Sequence, residues 1–215
     1  MKTVIAVYDD FSKAAQVVDA LEKSGFDRAD ISVLANDSQG RYASSLRGSE
    51  AGDGDVEAGE GAAFGALTGA LTGLLIGMGA LTIPGIGPVI AAGPIISALA
   101  GAGVGAVTGG IVAALVDLGV TNEDANLYAE GIRRGGTLVA VKARDDSAET
   151  AAAIMQSGEP VDLDASASHW RAEGWQRYME QDQPYPAQHR TEDLLTTEQR
   201  NADVIRVYGY DIPPQ

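Results

Sequence analysis

The stretch TVIAVYDDFSKAAQVVDALEKSGFDRADISVLA, residues 3–35, has the pattern of a strand, a helix and a second strand. Val, Ile and Thr are enriched at its two ends, as they are in β-strands. Between these ends, apolar residues recur at helical spacing and form one face: Ala14, Val17, Val18 and Leu21. Asp10 or Ser12 can cap the start of this helix, and Gly25 can end it. We therefore expect a β-α-β unit.

A second copy of this pattern begins with TLVAV at 137–141. A helix-like stretch, SAETAAAIMQSG, follows at 147–158, and then comes VDLDA at 161–165, whose alternation suits an edge strand. Two such units predict an α+β fold, a ferredoxin-like split β-α-β sheet with helices on one face. The alternative is a chance similarity between two ordinary amphipathic units.

A long insertion separates the two copies. Its first part is polar and acidic, and such a composition buries too little apolar surface to order itself. We expect five segments: a first β-α-β half at 1–35, an acidic flexible linker at 36–60, a Gly/Ala-rich helical hairpin at 61–120, a helix plus the second β-α-β half at 121–165, and an extended aromatic C-terminal tail at 166–215. Thr121 and Asp124 form a capping-box pattern at the start of the helix in the fourth segment.

The predicted hairpin is the most unusual stretch of the chain, because residues 61–116 contain no charged residue and no histidine. Prolines near its middle divide it into two arms of about 23 residues, each about 34 Å long as a helix. Small residues at every fourth position let two helices approach closely. They form the predicted self-association surface: Gly61, Gly65, Gly69, Gly73 and Gly77 in the first arm, and Ala98, Ala102, Ala106, Gly110 and Ala114 in the second. The alternative is a low-complexity tract that is in register by chance.

Close packing of the arms does not show whether lipid or water surrounds them. Each arm is long enough to cross a bilayer core of about 30 Å. The acidic flanks and the lack of a Trp or Tyr belt argue against insertion in lipid. Because the N-terminus lacks a signal-peptide pattern, we expect a homo-oligomer on the cytoplasmic side of the cytoplasmic membrane, with the lipid bilayer as a further partner. A soluble, self-assembling structural protein with the hairpins as its buried core remains open.

The tail holds both tryptophans and four of the seven tyrosines. Aromatic side chains are unfavourable when exposed and favour contact surfaces. We therefore predict that the tail docks on neighbouring subunits through Trp170, Trp175, Tyr208 and Tyr210. VIRVYGY at 204–210 predicts a strand that joins a neighbour's sheet edge. The alternative is a loosely ordered, solubilising tail.

No pattern in the sequence predicts a reaction. His169 and His189 lie twenty residues apart without metal-ligand spacing, so we predict no metal site. No catalytic or cofactor-binding residue stands out, and we expect neither a cofactor nor an enzyme. A net charge of −15 argues against nucleic acid as a partner. A small-ligand-binding module on the sheet is a third hypothesis, although no residue marks its pocket.

The chain resembles the bacterial general stress protein 17M-like domain family, the heat-induced stress proteins. The resemblance lies in TVIAVYDDFSKAAQVVDALEKSGFDRADISVLAND at 3–37, and in a Gly-rich stretch that precedes NEDANLYAEGIRRGGTLVAVKA at 122–143. It covers roughly residues 1–165 and leaves the tail outside. The resemblance implies a role in the bacterial stress response and supplies no catalytic residues.

Overall fold

The structure is a computed structural model that describes residues 1–38, 40, 78–102, 110–185, 194 and 204–209. The helices and strands of these residues, in chain order, are β1 (Lys2–Tyr8), α1 (Phe11–Lys23), β2 (Ile31–Asn36), β3 (Gly79–Ile83), β4 (Gly87–Ala92), α2 (Pro94–Ala102), α3 (Gly110–Asp117), α4 (Asn122–Arg133), β5 (Thr137–Ala143), α5 (Ala148–Ser157), α6 (Leu163–Ala172) and β6 (Arg206–Gly209).

All six strands form one sheet in the order β3-β4-β2-β5-β1-β6. Every neighbouring pair is antiparallel. β5 pairs with β1 over seven positions, from Lys2 opposite Ala143 to Tyr8 opposite Thr137, and its other side pairs with β2. β1 and β2 therefore run in the same direction on either side of β5. The predicted α+β class is confirmed.

Helices cover both faces of the sheet. Alternate β1 residues, such as Val4 and Ala6, face a core that α1 and α5 complete. Ile5 and Val7 face the opposite core, which contains residues of α2, α3, α4 and α6. The prediction of helices on one face is therefore wrong, because the insertion and the tail supply the second layer. Burial on both faces explains why TVIAV and TLVAV are apolar without interruption.

Two predicted helix starts are confirmed by their capping hydrogen bonds. The Asp10 carboxylate accepts from the Ser12 amide at 2.6 Å at the start of α1. The Thr121 hydroxyl accepts from the Asp124 amide at 3.2 Å at the start of α4. Gly25, with φ of +91°, follows α1 in the left-handed region that glycine tolerates. These ends depend on neighbouring residues only, which is why the sequence predicts them.

The structure corrects the helical hairpin predicted for 61–120. Residues 79–83 form strand β3 instead of the end of a first helical arm, and a turn at 84–86 leads into β4. Gly85 and Gly87 have positive φ values of +78° and +99°, so the turn uses backbone conformations that other residues rarely adopt. Residues 61–77 lie outside the described residues. No helix in the described ranges has the length and apolarity to span a bilayer.

The structure also corrects the strand predicted at 161–165. Only Val161 joins β1, where its amide donates to the Val7 carbonyl at 2.7 Å. The Asp162 carboxylate then accepts from the Ala165 amide at 2.8 Å and caps α6. A capped helix start therefore replaces the predicted edge strand, and β6 pairs with β1 beside it.

Candidate interaction site

The tail folds back on its own domain in the described structure. Trp170 is fully buried in α6 and lies edge-on to Trp175, with ring centroids 5.6 Å apart. Tyr208 is buried in β6. Tyr210, the fourth predicted docking residue, lies outside the described residues. Docking on neighbouring subunits stays a prediction, because the structure contains one chain.

A buried ionic cluster binds the tail to the end of α4. Glu130 is completely buried, and its Oε1 accepts from Arg133 Nη1 at 3.0 Å and from Arg134 Nε at 2.7 Å. The Arg134 guanidinium lies between two tail rings, 4.8 Å from that of Trp170 and 4.6 Å from that of Tyr185. Paired charges and cation–π contacts offset part of the desolvation cost of burying these groups.

A second set of contacts joins the tail to the turn between β3 and β4. The Tyr178 hydroxyl donates to the Pro84 carbonyl. An added Cβ at Gly85 would lie 2.9 Å from that hydroxyl and from the Met179 carbonyl oxygen. Glycine at this position therefore serves the close approach of the tail as well as the turn.

Four of the predicted self-association residues lie within the described residues. Ala98 and Ala102 lie in α2, and Ala114 lies buried in α3. Gly110 begins α3 with φ of +34°, and a Cβ there would overlap the Glu180 carboxylate of the tail. Gly110 and Ala114 therefore pack within their own chain. The remaining predicted residues lie outside the described part: Gly61, Gly65, Gly69, Gly73, Gly77 and Ala106.

β3 forms one edge of the sheet, which we call the β3 edge. It pairs with β4 without a bulge, from Gly79 opposite Ala91 to Ile83 opposite Gly87. No other strand of the described residues pairs with its outer side. Ala80 and Thr82 are exposed, and β3 contains no charged residue. The charge-free run 61–77 leads directly into this strand.

β6 forms the opposite edge and is held by charged and aromatic groups. Arg206 pairs with Asp124 of α4 and, at 2.6 Å, with Asp164 of α6. The Tyr208 hydroxyl donates to Asp124 Oδ2 at 3.0 Å and lies 3.3 Å from the Tyr128 hydroxyl. Burial raises the pKa of Tyr208 to about 12. Burial also raises the pKa of Tyr128 well above its usual range.

The described residues show no convergent catalytic or metal-binding geometry. No group of three His, Cys, Asp or Glu side chains among them is placed to hold a metal ion. His169 is half-exposed, and its Nε2 lies 3.6 Å from the carboxylate of Glu173. An open groove of about 520 Å³ runs between α3, α4 and the tail, lined partly by Val116, Arg177 and Met179.

Residues 3–82 match the family model described as the heat induced stress protein YflT domain. The similarity to heat-induced stress proteins therefore lies in the first part of the chain. The match begins in β1 and ends within β3, and it confirms the predicted resemblance to the general stress protein family. The family suggests a stress-response role, and it is not a known enzyme family. Neither the curated proteins nor the solved structures contain a match to the chain.

Sequence reasoning missed the ionic cluster and the second role of Asp124. Glu130, Arg133 and Arg134 stand at i, i+3 and i+4, a spacing that places them on one helix face. That spacing was an available signal, although it does not reveal burial. Asp124 was predicted only as part of a helix cap, and nothing local shows that it also binds Arg206, 82 residues away.

Proposed function

We propose that this protein is a non-enzymatic stress-response protein that self-associates, and that its copies meet at the β3 edge and the charge-free run before it. The family match supports the stress-response role. The observation that carries self-association is the β3 edge itself, an uncharged edge strand at the end of a charge-free stretch.

An edge strand presents backbone groups that can pair with another chain. Natural proteins protect such edges with charged side chains, prolines or bulges. β3 has none of these, and its exposed side chains are the small Ala80 and Thr82. Two copies related by a two-fold axis can pair their β3 strands antiparallel and join two sheets into one. A second copy is therefore the partner that best fits this edge.

The sheet behind this edge supports the proposal. We infer that β1, α1, β2, β5 and α5 form a ferredoxin-like split sheet, because β5 lies between two parallel strands and the two helices share one face. The β3–β4 hairpin extends the β2 side of this sheet, and β6 extends the β1 side. Assembly through β3 leaves the inferred core of the fold unchanged.

The strands and helices found within the predicted hairpin favour assembly in water over insertion in a bilayer. Residues 78–102 and 110–120 contribute strands and helices that pack on the domain. Only the 17 residues from Gly61 to Gly77 remain of the first predicted arm. Even as a single helix they would span about 26 Å, less than the bilayer core of about 30 Å. Their glycines at every fourth position suit close packing between copies.

Light scattering coupled to size exclusion tests this proposal on the full chain. We expect a particle larger than the 22.2 kDa monomer, and at least tenfold weaker association in Ala80→Lys, which places a charge on the β3 edge. Ala153→Lys makes the same change at an exposed position of α5 and should leave association unchanged. Gly69→Leu with Gly73→Leu should weaken association as well.

Two outcomes would overturn the proposal. If the wild-type chain stays monomeric at high concentration, the protein does not self-associate. If the Ala80→Lys chain assembles like wild type, the β3 edge is not the interface. Retention of the expressed protein in carbonate-washed membranes would favour the bilayer instead of aqueous assembly.

A further inference from the structure

β6 lies on β1 as an added strand. Four residue pairs join them antiparallel, from Lys2 opposite Gly209 to Ile5 opposite Arg206. Main-chain pairing of this kind supplies affinity for an extended segment of almost any sequence, and pockets for alternate side chains supply specificity. The side chains around β6 therefore decide what this edge selects.

The side chains around β6 contact an arginine and a tyrosine that stand two positions apart. Alternate residues of a strand share a face, so Arg206 and Tyr208 point to the same side of the sheet. Arg206 reaches carboxylates on two different helices, Asp124 and Asp164. The ring of Tyr208 lies edge-on to that of Tyr128, with centroids 6.5 Å apart. The intervening Val207 is exposed.

The recognition surface is built by elements other than β6. We call it the β1 groove and define it by the side of β1 that pairs with β6, together with Asp124, Tyr128 and Asp164. Asp124 accepts a hydrogen bond from the Thr121 hydroxyl at 2.8 Å at the start of α4, and Tyr128 is buried in the core beneath. The groove is thus held in shape by its own helices, and it offers two negative charges to a cationic side chain.

The connection to β6 is long enough for exchange between molecules. Leu194 packs in the core, and nine residues, 195–203, separate it from Val204. Nine residues can extend to about 30 Å, so the chain length permits residues 204–209 to pair with the β1 of a copy within that distance. Exchange of an identical element is a low-cost route to association.

We propose that the β1 groove is a recognition site for an extended Arg-x-Tyr segment, and that in assemblies it takes residues 204–209 of a second copy. This site lies at the opposite end of the sheet from the β3 edge. It extends the proposed function, and it does not require pairing of the β3 strands.

Peptide binding tests the recognition step. The probe is a fluorescent peptide of residues 202–211, and the acceptor is the full chain with Arg206→Ala and Tyr208→Ala, whose own segment is weakened while its groove is intact. We expect the acceptor to bind the peptide at least tenfold more tightly than the wild-type chain does. A peptide with both alanine changes should bind at least tenfold more weakly, and one with Val207→Ala should bind equally well. No binding, or equal binding of all three peptides, would overturn the proposal.

Disulfide trapping tests exchange between copies. Val4 and Val207 are directly opposite in the register, and the chain has no cysteine of its own. A mixture of Val4→Cys chains and Val207→Cys chains, each also carrying Ala80→Lys to remove pairing at the β3 edge, should yield a cross-linked heterodimer under mild oxidation. Val4→Cys mixed with Ala153→Cys is the matched control and should not cross-link.

The doubly substituted chain, Val4→Cys with Val207→Cys, shows whether the two thiols can meet at all. If it oxidises within one molecule while the mixture gives no heterodimer, exchange is excluded. Because Ala80→Lys is present throughout, loss of the cross-link cannot be confused with failure of the β3 interface.

Discussion

The two edges of the sheet differ in how their backbone groups are covered. β1 would present a free edge, and the chain covers it with β6 from its own tail. β3 also presents an edge, and no strand of the described residues covers it. The covered edge is held by Arg206 and Tyr208, whereas the β3 edge has only small, uncharged side chains exposed.

The difference has a physical consequence for specificity. An edge defined by backbone groups and small side chains accepts a partner strand in more than one register. At the β6 edge, a shift by one residue would move Arg206 and Tyr208 to the other face, away from Asp124, Asp164 and Tyr128, so these contacts specify one register. The side chains at the β6 edge therefore specify one segment, whereas the β3 edge carries no side chain that would do so.

The largest expected effect comes from the ionic cluster that binds the tail to the end of α4. Glu130→Ala leaves Arg133 and Arg134 without their buried carboxylate, and removal of one partner of a buried pair typically costs about 3–5 kcal/mol. Urea unfolding should show a loss of this size in the free energy of unfolding. Glu123→Ala, on the exposed side of the same helix, should change it by less than about 0.5 kcal/mol. Equal effects of the two changes would contradict a buried role for Glu130.

A smaller effect is expected at the β6 edge. Tyr208→Ala removes a buried ring and its hydrogen bond to Asp124, with a loss of about 2 kcal/mol in the free energy of unfolding. Val207→Ala changes an exposed neighbour and should have little effect. Limited proteolysis should release the tail faster in Tyr208→Ala alone. Similar cleavage rates in both variants would show that the aromatic contact does not hold β6.

Alkaline pH should weaken the β6 edge and leave the β3 edge unchanged. Burial raises the pKa of Tyr208 to about 12, whereas an unfolded tyrosine titrates near 10. Between these values the folded chain retains a proton that the unfolded chain has released, so stability is complete below about pH 10 and falls as pH rises toward 12. β3 has no titratable side chain. Unfolding free energies from pH 9 to 12 should fall less steeply in Tyr208→Phe, and identical slopes would contradict the assignment.

The smallest change in folding stability is expected at Ala80, where substitution should weaken association. Ala80→Lys lies on an exposed position of β3, so the free energy of unfolding of the monomer should change by less than about 0.5 kcal/mol. Thermal unfolding of the isolated monomer checks this. A large loss of stability would mean that weakened association reflects damage to the sheet, and the comparison between the edges would then lose its support.

Local patterns predicted the parts of the fold that depend on neighbouring residues. β1 and β5 follow from their apolar runs, and the starts of α1 and α4 follow from the capping residues Asp10 and Thr121. The same reasoning was wrong at 79–83 and at 161–165, because a short run of small or alternating residues fits a strand as well as a helix. Pairing with β4 in one case, and the Asp162 cap in the other, decided between them.

The candidate site, like the fold, was predictable from the sequence only in part. The concentration of aromatic residues in the tail indicated contact surfaces, and the charge-free run indicated self-association. The partners themselves were not predictable, because Arg206 lies 82 residues from Asp124, and Arg134 lies 51 residues from Tyr185. No pattern confined to a few neighbouring residues contains information about such pairs.

The sequence by itself determined the α+β class, the repeated strand–helix pattern, the helix caps and the lack of an evident catalytic motif, because each rests on periodicity, local hydrogen bonding or composition. Only the tertiary structure decided that helices cover both faces, that β6 joins β1, and that β3 is left at the edge. The physical reason is that burial and ion pairing act between residues brought together across the whole chain, and their energies depend on which groups finally exclude water.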